Sequence, residues 1–111
     1  MDILFGSKDL DKLCHDDRIA TRAIGMPSAR KLRARLDDLI AAATLSYATK
    51  LPGRFHALTR DRKGQFAFHL HDGCRLVLEP IGSPLPRGDD GMLDLGKVTA
   101  VMIVFVGDYH E

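Results

Sequence analysis

At 111 residues, with 45% hydrophobic and 28% charged residues and a formal charge of +1, the chain can bury one core without disulfides or metals, in a single domain spanning 1–111. Cys14 and Cys74 fit no metal or redox spacing and read as reduced thiols, and the acidic opening MDILFGSKDLDKL lacks the apolar stretch of an export signal. The longest apolar run, Val98 to Val106, is far shorter than the ~20 residues a membrane helix needs, so a cytoplasmic protein without a membrane partner is expected.

In chain order, MDILF is a short strand candidate closed by Gly6, and Ser7 can cap the helix that follows, with Leu10 and Leu13 inward. GMPSARKLRARLDDLIAAATL is the clearest helix. Pro27 suits its first turn, and Leu32, Leu36, Leu39, Ile40 and Ala43 fall at i, i+4, i+7, i+8 and i+11. Arg30, Lys31, Arg33 and Arg35 lie off that stripe, either solvated or in contact with RNA or a partner. Leu51-Pro52-Gly53 breaks the helical region, and strand patterns follow. RFHAL is a short strand. GQFAFHLH alternates, with Phe66, Phe68 and Leu70 on one face and Ala67, His69 and His71 on the other. HDG is a tight turn, CRLVLEP the returning arm, and IGSPLPRGDDGMLDLGK a loop. VTAVMIVFV is apolar on both faces, as a central strand would be. The expected class is α+β: an N-terminal strand and two helices packed on a mostly antiparallel sheet of about five strands.

Charge is unevenly spread. Residues 18 to 78 hold twelve bases against four acids, and both flanks are acidic. A basic middle suits a polyanion-binding face or a solvated helix surface. Arg54, His56, Arg60, Arg62 and Lys63 cluster on one short strand and its turn. A strand histidine such as His56 is a packed core residue or a catalyst. Arg75, opening an apolar strand, needs an anion: Asp72, Glu79 or a phosphate. His69 and His71 could present two metal ligands, with His56 a third, or form an exposed pair. The segment Gly107-Asp108-Tyr109-His110 combines an orienting carboxylate, a phenol and an imidazole that titrates near neutral pH.

LPGRFHALTRDRKGQFAFHLHDGCRLVLEPI, followed by a last strand running into Asp-Tyr-His, resembles the HigB branch of the RelE/ParE superfamily of plasmid-maintenance toxins. The resemblance covers residues 51 to 79 and 98 to 110, and the first 50 residues agree in helix layout. It implies a RelE-like fold and a ribosome-dependent mRNA endonuclease that needs no cofactor or metal. It also implies silencing by a cognate helix-turn-helix antitoxin of the HigA type. By position, His56, Asp108, Tyr109 and His110 match the family's catalytic set, and Arg75 its strand arginine. Arg54, Arg60, Arg62 and Lys63 would then bind RNA. The chain departs from the family at Leu58-Thr59-Arg60, where Leu-Lys-Gly is common. It departs again at Cys74, where an aromatic is common, and in the longer acidic loop from Ile81 to Lys97. Two other functions suit the same residues: a non-cleaving RelE/ParE-like module (a gyrase poison or repressor-complex partner), and a small histidine metalloprotein.

Overall fold

The apolar residues after Met1 form strand β1 (Asp2–Phe5), and Ser7 caps helix α1 (Lys8–His15) by accepting the amide of Leu10 at 3.1 Å. These elements come from a computed structural model, which describes residues 1–108. Helices α2 (Asp17–Ile24) and α3 (Met26–Ala41) follow, so the helical region has three members, not the two expected. Asp16 makes the extra break. Its backbone is extended, with φ −127° and ψ 111°, and its carboxylate accepts the amides of Arg18 and Ile19. An aspartate cap offers those amides a partner other than the carbonyl one turn back, so one helix ends and another starts.

Leu32, Leu36 and Leu39 of α3 are buried as their spacing predicts. The stripe is shorter than expected, because Ile40 stays 56% exposed and Ala43 lies outside the helix. The amino group of Met1 donates to the Ile40 carbonyl at 2.9 Å, placing a cation at the negative end of α3. The chain then enters a 3-10 turn over Leu45–Lys50, with Leu45 and Ala48 buried.

The remaining strands are β2 (His56–Ala57), β3 (Phe66–His69), β4 (Cys74–Pro80) and β5 (Ala100–Asp108). The five-stranded sheet runs β1-β5-β4-β3-β2, with β1 parallel to β5 and the other neighbours antiparallel. β5 has a partner on each side, as its doubly apolar sequence predicts. β2 is shorter than the RFHAL pattern suggests, because a 3-10 turn at Arg60–Arg62 closes the hairpin soon after Leu58 bonds to Gln65. The long loop is mostly irregular, with one bridge, Arg87 to Leu93, and a 3-10 turn at Leu95–Lys97.

The two faces of the sheet differ. One packs Phe68, Leu70, Leu76, Leu78, Val101 and Ile103 against the leucines of α3, forming the main core. The other carries a small cluster of Leu58, Ala67 and Val77 flanked by Val104 and Phe105. A bulge divides β5: Val77 pairs with Phe105 and Leu78 with Ile103, so Val104 is the extra residue. The bulge reverses the alternation beyond Ile103, turning Phe105 and Gly107 to the second face and Val106 and Asp108 toward the helices. The observed class is the α+β arrangement expected. Among the described residues, no helix is long and apolar enough to cross a membrane.

Candidate functional site

Sheet register assembles the site on the second face. His56 pairs with Ala67, which pairs with Val77, which pairs with Phe105. One row on, His69 pairs with Arg75, which pairs with Gly107. Directly opposed residues share a face, and so do residues two apart on one strand. Imidazoles from β2 and β3 therefore lie beside a guanidinium from β4, over a floor of Ala67 and Gly107. The His56 and His69 rings meet edge to face, with centroids 5.4 Å apart.

His56 has a defined tautomer. Its Nδ1 lies 2.7 Å from the Arg54 carbonyl oxygen. A carbonyl can only accept, so Nδ1 carries the hydrogen, and in the neutral ring Nε2 carries the lone pair. Arg54 presents that carbonyl from a left-handed conformation, φ 54°, which side chains other than glycine adopt at some cost. His56 itself is exposed, so Nε2 can reach a ligand.

His69 is half-buried, and its pKa is pushed below the ordinary histidine value by burial first, then by the charges of Arg75, His56 and Arg54. It is neutral at pH 7. Arg75 donates only weakly, at 3.4 Å to the Asp72 carbonyl and 3.5 Å to the Cys74 carbonyl. Neither carboxylate expected as its partner takes it. Asp72 lies 3.5 Å from His71, and Glu79 accepts from Gln65 at 3.3 Å. Among the described residues, Arg75 forms no ion pair.

Phe105 extends the site sideways. Its ring lies under the Arg62 guanidinium, 4.8 Å from the centroid, and over Gly107, where a β-carbon would come within 3.1 Å of Cζ. Gly107, at φ 156°, lets the ring lie flat along its own strand. Arg62 also donates to Gln65 Oε1 at 3.1 Å. Arg60 and Lys63 are exposed in the same turn.

Other candidates lie elsewhere. Asp108 pairs with buried Cys74 and turns toward the helices, where a β-carbon on Gly73 would be 2.7 Å from its Oδ2. The imidazole it was expected to orient is therefore neither His56 nor His69, and the Arg54 carbonyl holds His56 instead. Tyr109 and His110 lie outside the described residues. His69 and His71 do not share a face as alternation suggests. β3 ends at His69, and His71 belongs to the turn, lining a separate cavity of ≈ 290 Å³ with Ser28, Cys74 and Asp108. No three metal-ligating side chains group together among the described residues. Both cysteines are free and buried, and burial raises both thiol pKa values, Cys14 to about 11. Phe105 is a site residue that sequence patterns did not single out, and His69 was marked only as a metal-ligand candidate or an exposed residue. The alternation of β3 marked His69's face, but nothing marked the bulge that turns Phe105.

No protein-family model matches the chain, and no curated protein matches it. A solved structure does: the YoeB/ParE toxin from Agrobacterium tumefaciens, with a TM-score of 0.61, 12% identity, and coverage of 99% of this chain and 100% of that one. At that identity the two share a fold.

Proposed function

We propose that the chain is the toxin of a toxin-antitoxin pair, a HigB-like endonuclease that cuts mRNA on the ribosome. The observation that carries this reading is the His56 Nε2 lone pair, fixed by the Arg54 carbonyl beside His69 and Arg75 on the sheet face opposite α3. The fold shared with a YoeB/ParE toxin supports it.

In this mechanism His56 Nε2 takes the proton from an RNA 2′-hydroxyl, whose oxygen attacks the adjacent 3′-phosphorus. The bond to the 5′-oxygen breaks, and that oxygen leaves with a proton from an acid. The products are a 2′,3′-cyclic phosphate and a 5′-hydroxyl. His110 is proposed as the acid, and Tyr109 as a hydrogen-bond donor to the phosphate or a base-stacking group. Arg75 stabilises the charge that builds on the phosphoryl oxygens, a task for which an unpaired guanidinium is suited. His69, neutral at pH 7, packs against His56 without adding charge. The Arg62 guanidinium, resting on the Phe105 ring, offers its outer plane to a base. Arg54, Arg60 and Lys63 face the RNA backbone and the ribosome, and a HigA-like helix-turn-helix antitoxin silences the protein.

Primer extension on mRNA from expressing cells tests the proposal. Discrete codon-phased cuts that disappear in His56→Gln support it. Growth arrest with intact message refutes cleavage and leaves the non-cleaving ParE-like module.

A further inference from the structure

A second cleft, of ≈ 340 Å³, has His69 in its lining. Lys31 and Arg35 of α3 line it together with Gly53, Arg54, His69 and Leu70. Among the described residues, no carboxylate lines it. The cations are held in place: Lys31 Nζ donates to the Leu70 carbonyl at 3.3 Å, and Arg35 to the Pro52 carbonyl at 2.9 Å. Arg35 also pairs with Asp38 at 3.4 Å, whereas Lys31 and Arg54 have no carboxylate partner among the described residues. The loop is drawn in at Gly53, φ 106°, where a β-carbon would stand 3.0 Å from the His69 carbonyl oxygen. That close approach brings Arg54 over the cleft.

Arg35 is offset by Asp38, but Lys31 and Arg54 repel across the same concavity unless an anion joins them. An ammonium and two guanidiniums suit a phosphodiester, which accepts several charge-assisted hydrogen bonds. Position favours nucleic acid over an acidic peptide, because His69 forms part of the cleft and also touches His56, making the cleft continuous with the proposed cutting site. We infer that this cleft, built by Lys31, Arg35 and Arg54, binds a backbone phosphate of the RNA strand next to the one that is cut. The inference rests on the nuclease reading for its strand but not for its test.

The test uses the full chain and a 2′-O-methyl RNA heptamer, which lacks the attacking hydroxyl and so reports binding alone. Arg54→Gly removes a cation while keeping the carbonyl that holds His56, and glycine accepts the left-handed backbone. Lys31→Gln removes the second; Arg35 is left intact because it bridges loop and helix. With about 0.7 counterions released per neutralised phosphate, losing this one contact in the double variant should lower the slope of log K against log salt by about 0.7. Lys12→Gln, remote on α1, should leave it unchanged. Arg54→Gly alone should give about half the change, which serves if the double variant unfolds. An unchanged slope overturns the inference. So does an unchanged RNA slope with lost binding of a poly-glutamate peptide, which would assign the cleft to a protein. A lowered slope in a protein that never cuts message keeps the cleft as an RNA site while the nuclease reading fails.

Discussion

Replacing Arg75 with alanine should separate the proposed catalysis from stability. Its guanidinium makes only two hydrogen bonds, of 3.4 and 3.5 Å, at the outer limit of useful geometry, and no ion pair among the described residues. Losing them costs under about 1 kcal/mol of folding stability. If the same group meets the charge that builds on a phosphoryl oxygen, its loss removes a preorganised donor, a class worth about 10²–10³ in rate, or roughly 2.7–4 kcal/mol of barrier. Single-turnover cleavage of a message on programmed ribosomes should therefore slow by that factor, while the urea midpoint barely moves. Arg75→Lys keeps the charge without the planar fork and should fall between the two. A third readout tests the geometry alone. Burial is the larger reason His69 titrates low and Arg75 the next, so in Arg75→Ala the His69 pKa, followed by NMR, should rise part of the way toward its ordinary value. A cleavage rate within threefold of wild type, or a His69 that does not respond, would refute this placement of Arg75.

His56→Gln keeps a hydrogen-bonding side chain but cannot take a proton, so cleavage should fall by about 10²–10⁴. Because His56 is exposed, its unfolding free energy should stay within about 0.5 kcal/mol of wild type. Leu36→Ala opens a cavity between α3 and the sheet at a residue only 2% exposed, and should cost about 3–5 kcal/mol in urea unfolding. Burial raises the Cys14 thiol from 9.0 to about 11, Arg33 opposing in part, so the folded state keeps a proton that the unfolded chain loses. Stability should be intact below pH 9 and decline as pH rises toward about 11, by roughly 2–3 kcal/mol, and Cys14→Ala should flatten that decline.

Much of the architecture was legible because local chemistry and burial agreed. Ser7 precedes a helix and caps it; Phe66 and Phe68 alternate with smaller residues and pack inward; the HDG turn joins β3 to β4. Where they disagreed, the patterns misled. Asp16 sits in a helical context, yet its side chain competes for amides and divides the helix. The alternation from Val98 onward has no mark at Val104, because a bulge is settled by pairing with β4 and not by residue type. That one residue decides that Gly107, not Val106, stands opposite Arg75. His56 was legible as a candidate, but the carbonyl that selects its tautomer belongs to Arg54 in an uncommon backbone conformation. The cations of α3 were visible as a group. That Lys31 and Arg35 border His69 depends on how the helix crosses the sheet.

The parallel pairing of β1 with β5 matches Asp2 to Ala100 and Phe5 to Ile103. Among the described residues, the first strand thus finds its only sheet neighbour nearly a hundred positions later. Contacts of such separation form late, after local turns and hairpins have closed. The strand that completes the sheet also carries Phe105 and Gly107, so a growing polypeptide leaving the exit tunnel lacks its finished basic face until those positions have been made. For a protein proposed to attack translation, this order of assembly delays harm to the machine that is synthesising it.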